Sequence, residues 1–212
     1  MISNNLSNET LIEYIYKAAA EYEKLMNNTY LIVGKNSKND YYFFECTFKP
    51  ENFMHLVGVD SNQCSAFDFL MKCIEHNHQS GPGIGISYCT PAQGHNRSDI
   101  NRKASCCSDI LNLKNIRNFS IGEKVGNHFH YIYGSRNAVL EFKKIGKFTR
   151  PYSFMPGDTV DMHSKVTYKV LFIFKKENNK YRYPPEIELV PNLFQDLYDT
   201  MPLSLKSLIE YH

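Results

Sequence analysis

Apolar positions in the first part of the chain repeat at helical spacing. Within residues 8–27, the apolar positions that share one face of such a helix are Leu11, Ile12, Ile15, Ala19, Tyr22 and Met26. This spacing predicts an amphipathic helix. Asn8 can cap its first turn and Glu9 suits its positive end, so the helix is expected to begin near residue 8.

Two further helices are predicted directly after a hairpin. In residues 50–57, Pro50 fits a first helical position, and Gly58 suits a left-handed cap at the other end. The segment AFDFLMKCIEHNH follows Ser65, which together with Asp68 has the spacing of a helix start. We therefore expect three helices before residue 79.

Segments rich in β-branched and aromatic residues predict the strands. TYLIVGK and YYFFECTFK flank the polar turn KNSKND, which is the pattern of a hairpin. Later candidates are HFHYIYGS, AVLEFKKI, VTYKVLFIFKKE and PPEIELVP. The third of these is almost continuously apolar in its second half, which predicts a central position in the sheet.

The middle of the chain carries little periodicity. Residues 79–104 hold many glycines and polar residues, which predicts a long loop or an insertion with a short strand at GISYC. A further helix is predicted over SCCSDILNLKNIRNF, and weaker helical patterns appear in PNLFQDLYDT and PLSLKSLIEYH.

The order of these elements predicts an α+β fold. N-terminal helices are expected to pack on a mainly antiparallel β-sheet, with a Gly-rich insertion near 77–104. No internal repeat and no Pro/Ser-rich linker divides the chain. We therefore predict a single domain over residues 1–212, with a core at about 10–190 and a C-terminal helical tail at about 191–212.

Composition and charge narrow the class of protein. The chain has 212 residues, 42% of them hydrophobic, and a net charge of +2. This net charge is much smaller than the positive charge typical of nucleic-acid-binding domains, although it does not exclude such a domain. No signal peptide and no membrane-length apolar segment are apparent. The chain is therefore expected to be cytoplasmic, away from membranes, with its six cysteines reduced.

Histidine and cysteine pairs leave a metal site open as an alternative. The pairs are His76-x-His78, His128-x-His130 and Cys106-Cys107, with Cys89 and His95 between them. None has the spacing that zinc sites prefer, and a polar strand face or a helix end explains the pairs as well. We predict no metal and no cofactor, and a zinc-binding regulator remains a minor alternative.

A basic, hydroxyl-bearing cluster lies in the last third of the chain. Strand alternation puts Lys165, Thr167 and Lys169 on one face of the predicted strand, with aromatic residues interleaved. Such a face can contact phosphates and stack bases. The alternative is an ordinary solvated strand face, where lysine also protects sheet edges.

Taken together, several short motifs resemble a known family. They are FMHLVGV after a hairpin, the helix AFDFLMKCIEH, SDILNLKNI, and a strand–turn–strand region ending in KVLFIFKKE with a tyrosine after the turn. This order is similar to that of the phage-type Barnase/EndoU/colicin/RelE-like nuclease domains of the group with an HLxG helix. That resemblance implies a toxin-like RNase from a phage or mobile element, with helices on one sheet face and the site on the other.

The implied reaction is metal-independent cleavage of RNA by 2′-hydroxyl transesterification. The expected catalytic residues are His55, Lys169 and Arg150. The expected RNA- and phosphate-binding residues are Ser153, Lys165, Thr167 and Lys147. His55 alone matches a family motif, and the others are chosen by chemical type and placement. His55 is expected to act chemically only if the basic strand near Lys169 lies within its reach.

Two other interpretations stay open. His55 can instead serve as a structural histidine that holds its short helix against the sheet. The whole chain can also be a non-catalytic interaction or inhibitor protein that contacts a protein partner through residues 77–104 rather than RNA. Whether the chain is an enzyme, a possible endoribonuclease, is thus left undecided by the residues alone.

Overall fold

Seven antiparallel strands form one sheet in this structure, a computed structural model that describes residues 6–113, 119–125, 131–146, 148–178, 180–184 and 191–210. The strands are β1 (Asn28–Lys35), β2 (Tyr41–Thr47), β3 (Ser120–Lys124), β4 (Tyr131–Gly134), β5 (Ala138–Ile145), β6 (Phe148–Pro156) and β7 (Ser164–Glu177). Their order across the sheet is β2-β1-β7-β3-β4-β5-β6. The predicted central position of β7 is therefore confirmed.

The longest helices among the described residues lie before residue 112, and shorter ones follow in the last third of the chain. They are α1 (Asn8–Leu25), α2 (Pro50–Leu56), α3 (Ala66–Asn77), α4 (Arg97–Leu111), α5 (Val160–His163), α6 (Pro191–Thr200) and α7 (Leu203–Lys206), with a single 3₁₀ turn at Ile86–Tyr88. The predicted α+β class, with N-terminal helices and an antiparallel sheet, is confirmed.

The sheet curls, so that strands far apart in its order approach one another. Phe44 of β2 stacks on Tyr131 of β4, with ring centroids 4.7 Å apart, and also meets Phe142 of β5 at 5.3 Å. The two end strands, β2 and β6, lie against each other without being hydrogen-bonded neighbours. Aromatic side chains fill the inside of this curl because their large apolar surfaces gain most from burial.

The two faces of the sheet bury separate apolar clusters. Helices α1 to α4 pack on the concave side with a large cluster that includes Tyr22, Phe53 and Phe69. On the other side of β1 and β7, the C-terminal helices contribute Phe194 and Leu205 to a second cluster. The C-terminal tail therefore covers sheet surface that would otherwise expose apolar strand residues to water.

The structure corrects the prediction for residues 97–104. These residues form the first half of α4 instead of a loop, and α4 ends at Leu111, well before the predicted end of that helix. Asn96 accepts a hydrogen bond from the Asp99 N–H while the Asp99 carboxylate accepts one from the Asn96 N–H, which is a capping box. This local cap starts a helix whose sequence carries only a weak apolar stripe.

Strands β3 and β6 are absent from the predicted set. β6 contains Pro151 and Pro156, which argue against a strand, but β6 ends the sheet order, where proline is tolerated. β3 is short and has Gly122 at its centre. The predicted strand PPEIELVP falls largely on residues 185–190, which lie outside the described residues.

Membrane and thiol features complete the fold. Within the described part of the chain, no helix combines the length and apolar character needed to cross a bilayer.

All six cysteines are free thiols, and four of them are buried. Burial raises the pKa of the Cys107 thiol to about 12, so this side chain packs as a neutral apolar group.

Candidate active site

The motif HLVG forms the capped end of α2. Gly58 adopts a left-handed conformation with φ at 78°. Its N–H donates to the His55 carbonyl at 3.0 Å, and the Val59 N–H donates to the Met54 carbonyl at 3.1 Å. This pair of bonds is the Schellman arrangement, which satisfies the last carbonyls of the helix. The motif thus holds the His55 side chain at the very end of a short, rigid helix.

Glycine at position 58 also makes room for a lysine of another helix. A Cβ added to Gly58 would lie 3.0 Å from Cδ of Lys103, and Ile100 of the same helix is its next neighbour. The aliphatic stem of Lys103 therefore crosses the helix cap. Lys103 is only 4% exposed to solvent. Close packing of α4 on α2 in this way requires that position 58 carry no side chain.

Lys103 is a buried cation with little compensation. Its ammonium group forms no ion pair or hydrogen bond within the described residues. Desolvation lowers its pKa and repulsion from Arg102 lowers it further, while the negative charges of Asp99 and Glu141 act in the opposite direction. A buried ammonium group without an ion-pair partner can stabilise the negative charge of a bound ligand.

His55 faces an aromatic ring across the boundary between α2 and β6. The His55 side chain is exposed. Its ring centroid lies 5.6 Å from the ring centroid of Tyr152, and the two ring planes are tilted by 58°. Partial burial lowers the pKa of His55 below its ordinary value of 6.5, and the positive charges of Lys103 and His95 lower it further. The imidazole is therefore mostly neutral at pH 7 and can accept a proton.

Tyr152 is placed by an irregularity in the sheet. Between the pairs Glu141↔Ser153 and Phe142↔Pro151 the register shifts, which leaves Tyr152 as the extra residue of a bulge. Bulges re-aim side chains and occur often beside active sites. Tyr152 is 39% exposed, and Lys143 Nζ lies 5.1 Å from its ring centroid. The result is an exposed aromatic platform with a cation beside it.

A second histidine, His95, lies just before α4, and its charge acts on His55. His95 Nδ1 lies 3.7 Å from the Asp99 carboxylate. The backbone N–H of Asn96 holds the pKa of Asp99 below its ordinary value, and His95 contributes to the same effect. Asp99 is thus an anion that both caps α4 and orients the His95 ring.

The structure brings some of the predicted residues together and separates others. Arg150 is half-buried on β6, the strand that packs against α2, and Ser153 follows on the same strand. Lys147 lies outside the described residues. α2, which carries His55, thus packs against the strand that carries Arg150 and Ser153.

Lys165, Thr167 and Lys169 lie elsewhere. Their neighbours Tyr168 and Val170 contribute to the cluster on the helix side of the sheet, so strand alternation turns the three polar residues to the opposite face. Thr167 and Lys169 line a pocket there, and His55 is not among the residues around it. The condition that His55 and Lys169 share one cleft is not met by this geometry.

Sequence reasoning missed Lys103, Lys143 and Tyr152 as partners of His55. Lys103 falls in a segment predicted as a loop, so its position opposite Gly58 had no signal in the pattern. Tyr152 stands beside Pro151 in a strand that was not predicted. Among the described residues, no group of three or more His, Cys, Asp or Glu could hold a metal ion, and His128 and His130 are outside that part of the chain.

We predict that Gly58→Ala destabilises the protein through both backbone strain and crowding. The left-handed φ costs an alanine about 1–2 kcal/mol, and the contact with Lys103 adds to this. Gly94→Ala is the matched control, because Gly94 has φ at 81° and nothing within 4 Å of an added Cβ. Urea unfolding of both variants measures the difference, and equal losses would show that the packing of Lys103 is unimportant.

Comparison with known proteins gives one result. The model of the family described as phage-Barnase-EndoU-ColicinE5/D-RelE like nuclease4 matches residues 14–190, which contain α2, α4 and β6. No curated protein and no solved structure matches the chain significantly. The match spans most of the chain and agrees with the resemblance carried by the HLVG motif, and a nuclease family suggests that nucleic acid is bound. The chain therefore belongs to the phage-Barnase-EndoU-ColicinE5/D-RelE like nuclease4 family and is a phage-type nuclease.

Proposed function

We propose that this nuclease is an endoribonuclease that cleaves RNA without a metal ion, by attack of a ribose 2′-hydroxyl on the adjacent phosphate. The observation that carries the proposal is the placement of the motif histidine, His55, beside an exposed aromatic ring and within the electrostatic influence of a buried cation. RNA supplies its own nucleophile, so such a site needs a base, an acid and positive charge, but no metal-bound water.

His55 is the proposed general base. Its lowered pKa favours the neutral ring at pH 7, which is the form that takes the 2′-hydroxyl proton. The 2′-oxygen then forms a bond to phosphorus as the bond from phosphorus to the 5′-oxygen breaks. The products are a 2′,3′-cyclic phosphate and a 5′-hydroxyl end.

His95 is the proposed general acid. Its Nδ1 lies 3.7 Å from the Asp99 carboxylate, which orients the ring. A protonated His95 can donate to the leaving 5′-oxygen, and its positive charge contributes to the lowered pKa of His55. The two proposed roles thus fall to histidines in different surroundings, one beside an aromatic ring and one beside a carboxylate.

Lys103 and Arg150 are the proposed stabilisers of the phosphorane charge. Both lie on elements that pack against the end of α2 or against β6. A positive charge held in a partly desolvated site stabilises developing anionic charge more strongly than one in water. Ser153 and Lys147 remain proposed phosphate contacts on or beside β6. Lys169, Lys165 and Thr167 are reassigned to phosphate binding away from the cleavage centre, because they occupy the other sheet face.

The proposal is tested by incubating the purified chain with a single-stranded RNA and with the matching DNA in excess EDTA. We expect cleavage of the RNA alone and, by mass spectrometry, fragments that end in a 2′,3′-cyclic phosphate. Cleavage that requires an added divalent cation, or equal cleavage of DNA, would contradict the mechanism. RNA or protein binding without cleavage would favour the alternative of a non-catalytic interaction protein, with residues 77–104 as its contact surface.

We predict that Tyr152→Ala weakens RNA binding more than it slows the chemical step. Loss of base stacking on an exposed aromatic ring costs about 1–3 kcal/mol, so KM should rise while kcat changes little. Tyr152→Phe retains the platform and serves as the matched control. Steady-state kinetics on a short fluorescent RNA measure KM and kcat separately. A fall in kcat as large as the rise in KM would show that Tyr152 acts in the chemical step instead.

A further inference from the structure

A pocket of about 410 Å³ opens on the sheet face away from His55. Ser120 of β3 pairs with Lys169 of β7 on one side and with Gly134 of β4 on the other. Ser135 and Arg136 follow Gly134 in the turn to β5, so the register brings them to the same end of the sheet. Thr159, Val160 and Asp161, at the start of α5, complete the wall, and α5 packs on β3, β4 and β7.

The charged side chains that line this pocket, two cations and one carboxylate, have a net positive charge. The side chains of Arg136 and Lys169 form no ion pair or hydrogen bond within the described residues, and Asp161 forms no ion pair there either. Four hydroxyl groups line the same space, those of Ser120, Ser135, Thr159 and Thr167. Two free cations among hydroxyl donors form a suitable environment for a phosphate group.

The remaining lining has a different character. Phe119 and Val160 give an apolar wall, and the single carboxylate of Asp161 offers an acceptor for hydroxyl or amino groups. The volume lies in the range of pockets for small molecules and is too small to enclose a folded nucleic acid. A ligand that suits every part therefore has a phosphate at one end and a polar, partly apolar body at the other.

We propose that this pocket binds a nucleoside monophosphate. Arg136 and Lys169 hold the phosphate, assisted by the hydroxyls, and Asp161 accepts hydrogen bonds from the sugar or the base. The site is separate from the cleavage centre at His55, and the inference stands without the proposed RNase activity. The phosphate of a free mononucleotide and the terminal phosphate of an RNA share this chemistry, and the volume of about 410 Å³ favours the mononucleotide.

The test is isothermal titration of the full chain with adenosine 5′-monophosphate, adenosine, inorganic phosphate and a 5′-phosphorylated hexaribonucleotide. We expect binding of the monophosphate, weaker binding of phosphate, and none of adenosine. Arg136→Gln and Lys169→Gln should each weaken the monophosphate by about tenfold or more, as loss of a charged hydrogen bond does. Lys144→Gln, at an exposed strand lysine of β5 outside the pocket lining, is the matched control and should bind as the wild type does.

Three results would overturn the proposal. The first is no binding of adenosine 5′-monophosphate by the folded wild-type chain at millimolar concentration. The second is binding that is lost in His55→Ala but kept in Arg136→Gln, which would place the nucleotide at the cleavage centre. The third is tighter binding of the hexaribonucleotide than of the monophosphate that is also weakened by Arg136→Gln, which would assign the pocket to an RNA end. Because His55→Ala should keep nucleotide binding, a failure of the RNase proposal and a failure of this one are distinguishable.

Discussion

His55→Ala is expected to lower kcat/KM for RNA cleavage by about 10²–10⁴-fold, the range for loss of a general acid or base. The side chain is exposed at the end of α2, and the Schellman bonds that close this helix use backbone groups only. Removing the imidazole should therefore leave the fold intact. Cleavage of a fluorescent RNA, with circular dichroism as the check of folding, measures both.

His78→Ala is the matched control for this variant. His78 is also exposed at the end of a helix, and its ring pairs with Glu23 at 3.0 Å, away from Tyr152 and Lys103. Its activity should equal that of the wild type. If His55→Ala retained full activity while folded, His55 would be a structural histidine, and the base would have to be sought on another element.

Lys103→Met is expected to separate activity from stability. Methionine keeps most of the length and apolar stem of lysine, so packing over Gly58 is retained while the buried charge disappears. Since a buried charge without a partner is unfavourable, the free energy of unfolding should be unchanged or higher. Cleavage should fall by about 10²–10³-fold, the loss seen when one donor that stabilises anionic charge is removed.

The same variant should also change the pH dependence. The positive charge of Lys103 disfavours the imidazolium form and so lowers the pKa of His55. In the wild type the acid limb of kcat/KM is therefore expected below the ordinary histidine value of 6.5. In Lys103→Met the His55 pKa rises, and this limb moves to higher pH. Lys17→Met, which removes an exposed charge on α1, is the control and should leave the limb in place. If the acid limb of kcat/KM has the same pH midpoint in Lys103→Met as in the wild type, the charge of Lys103 does not influence the pKa of His55.

Much of the fold could be predicted because its signals are local. The apolar stripe of α1, the hairpin of β1 and β2, and the caps of α2 and α3 depend on residues within a few positions of each other. The same holds for the HLVG motif, whose resemblance to a nuclease family agrees with the family match. The start of α4 was missed because its capping box outweighs a weak apolar pattern.

The composition of the candidate site depended on contacts that are distant in sequence. The prediction joined His55 with Lys169 because both have suitable chemistry, yet the direction of a strand side chain depends on which face of the sheet the helices cover. Lys169 lies on the face opposite α1 to α4 and lines a pocket with Arg136. The Tyr152 ring, at a bulge of β6, lies beside the His55 ring, and Lys103 lies over Gly58 at the end of the same helix because α4 packs there.

The sequence by itself determined the helices, most strands, the α+β class and the motif histidine with its capped helix. Each of these follows from spacing, capping or turn chemistry over a short stretch of chain. Only the tertiary structure decided which cations and which aromatic ring surround His55, and that the basic strand forms a different pocket. The physical reason is that burial of the apolar faces curls the sheet and brings β6, α2 and α4 together, while strand alternation sends Lys169 to the far side.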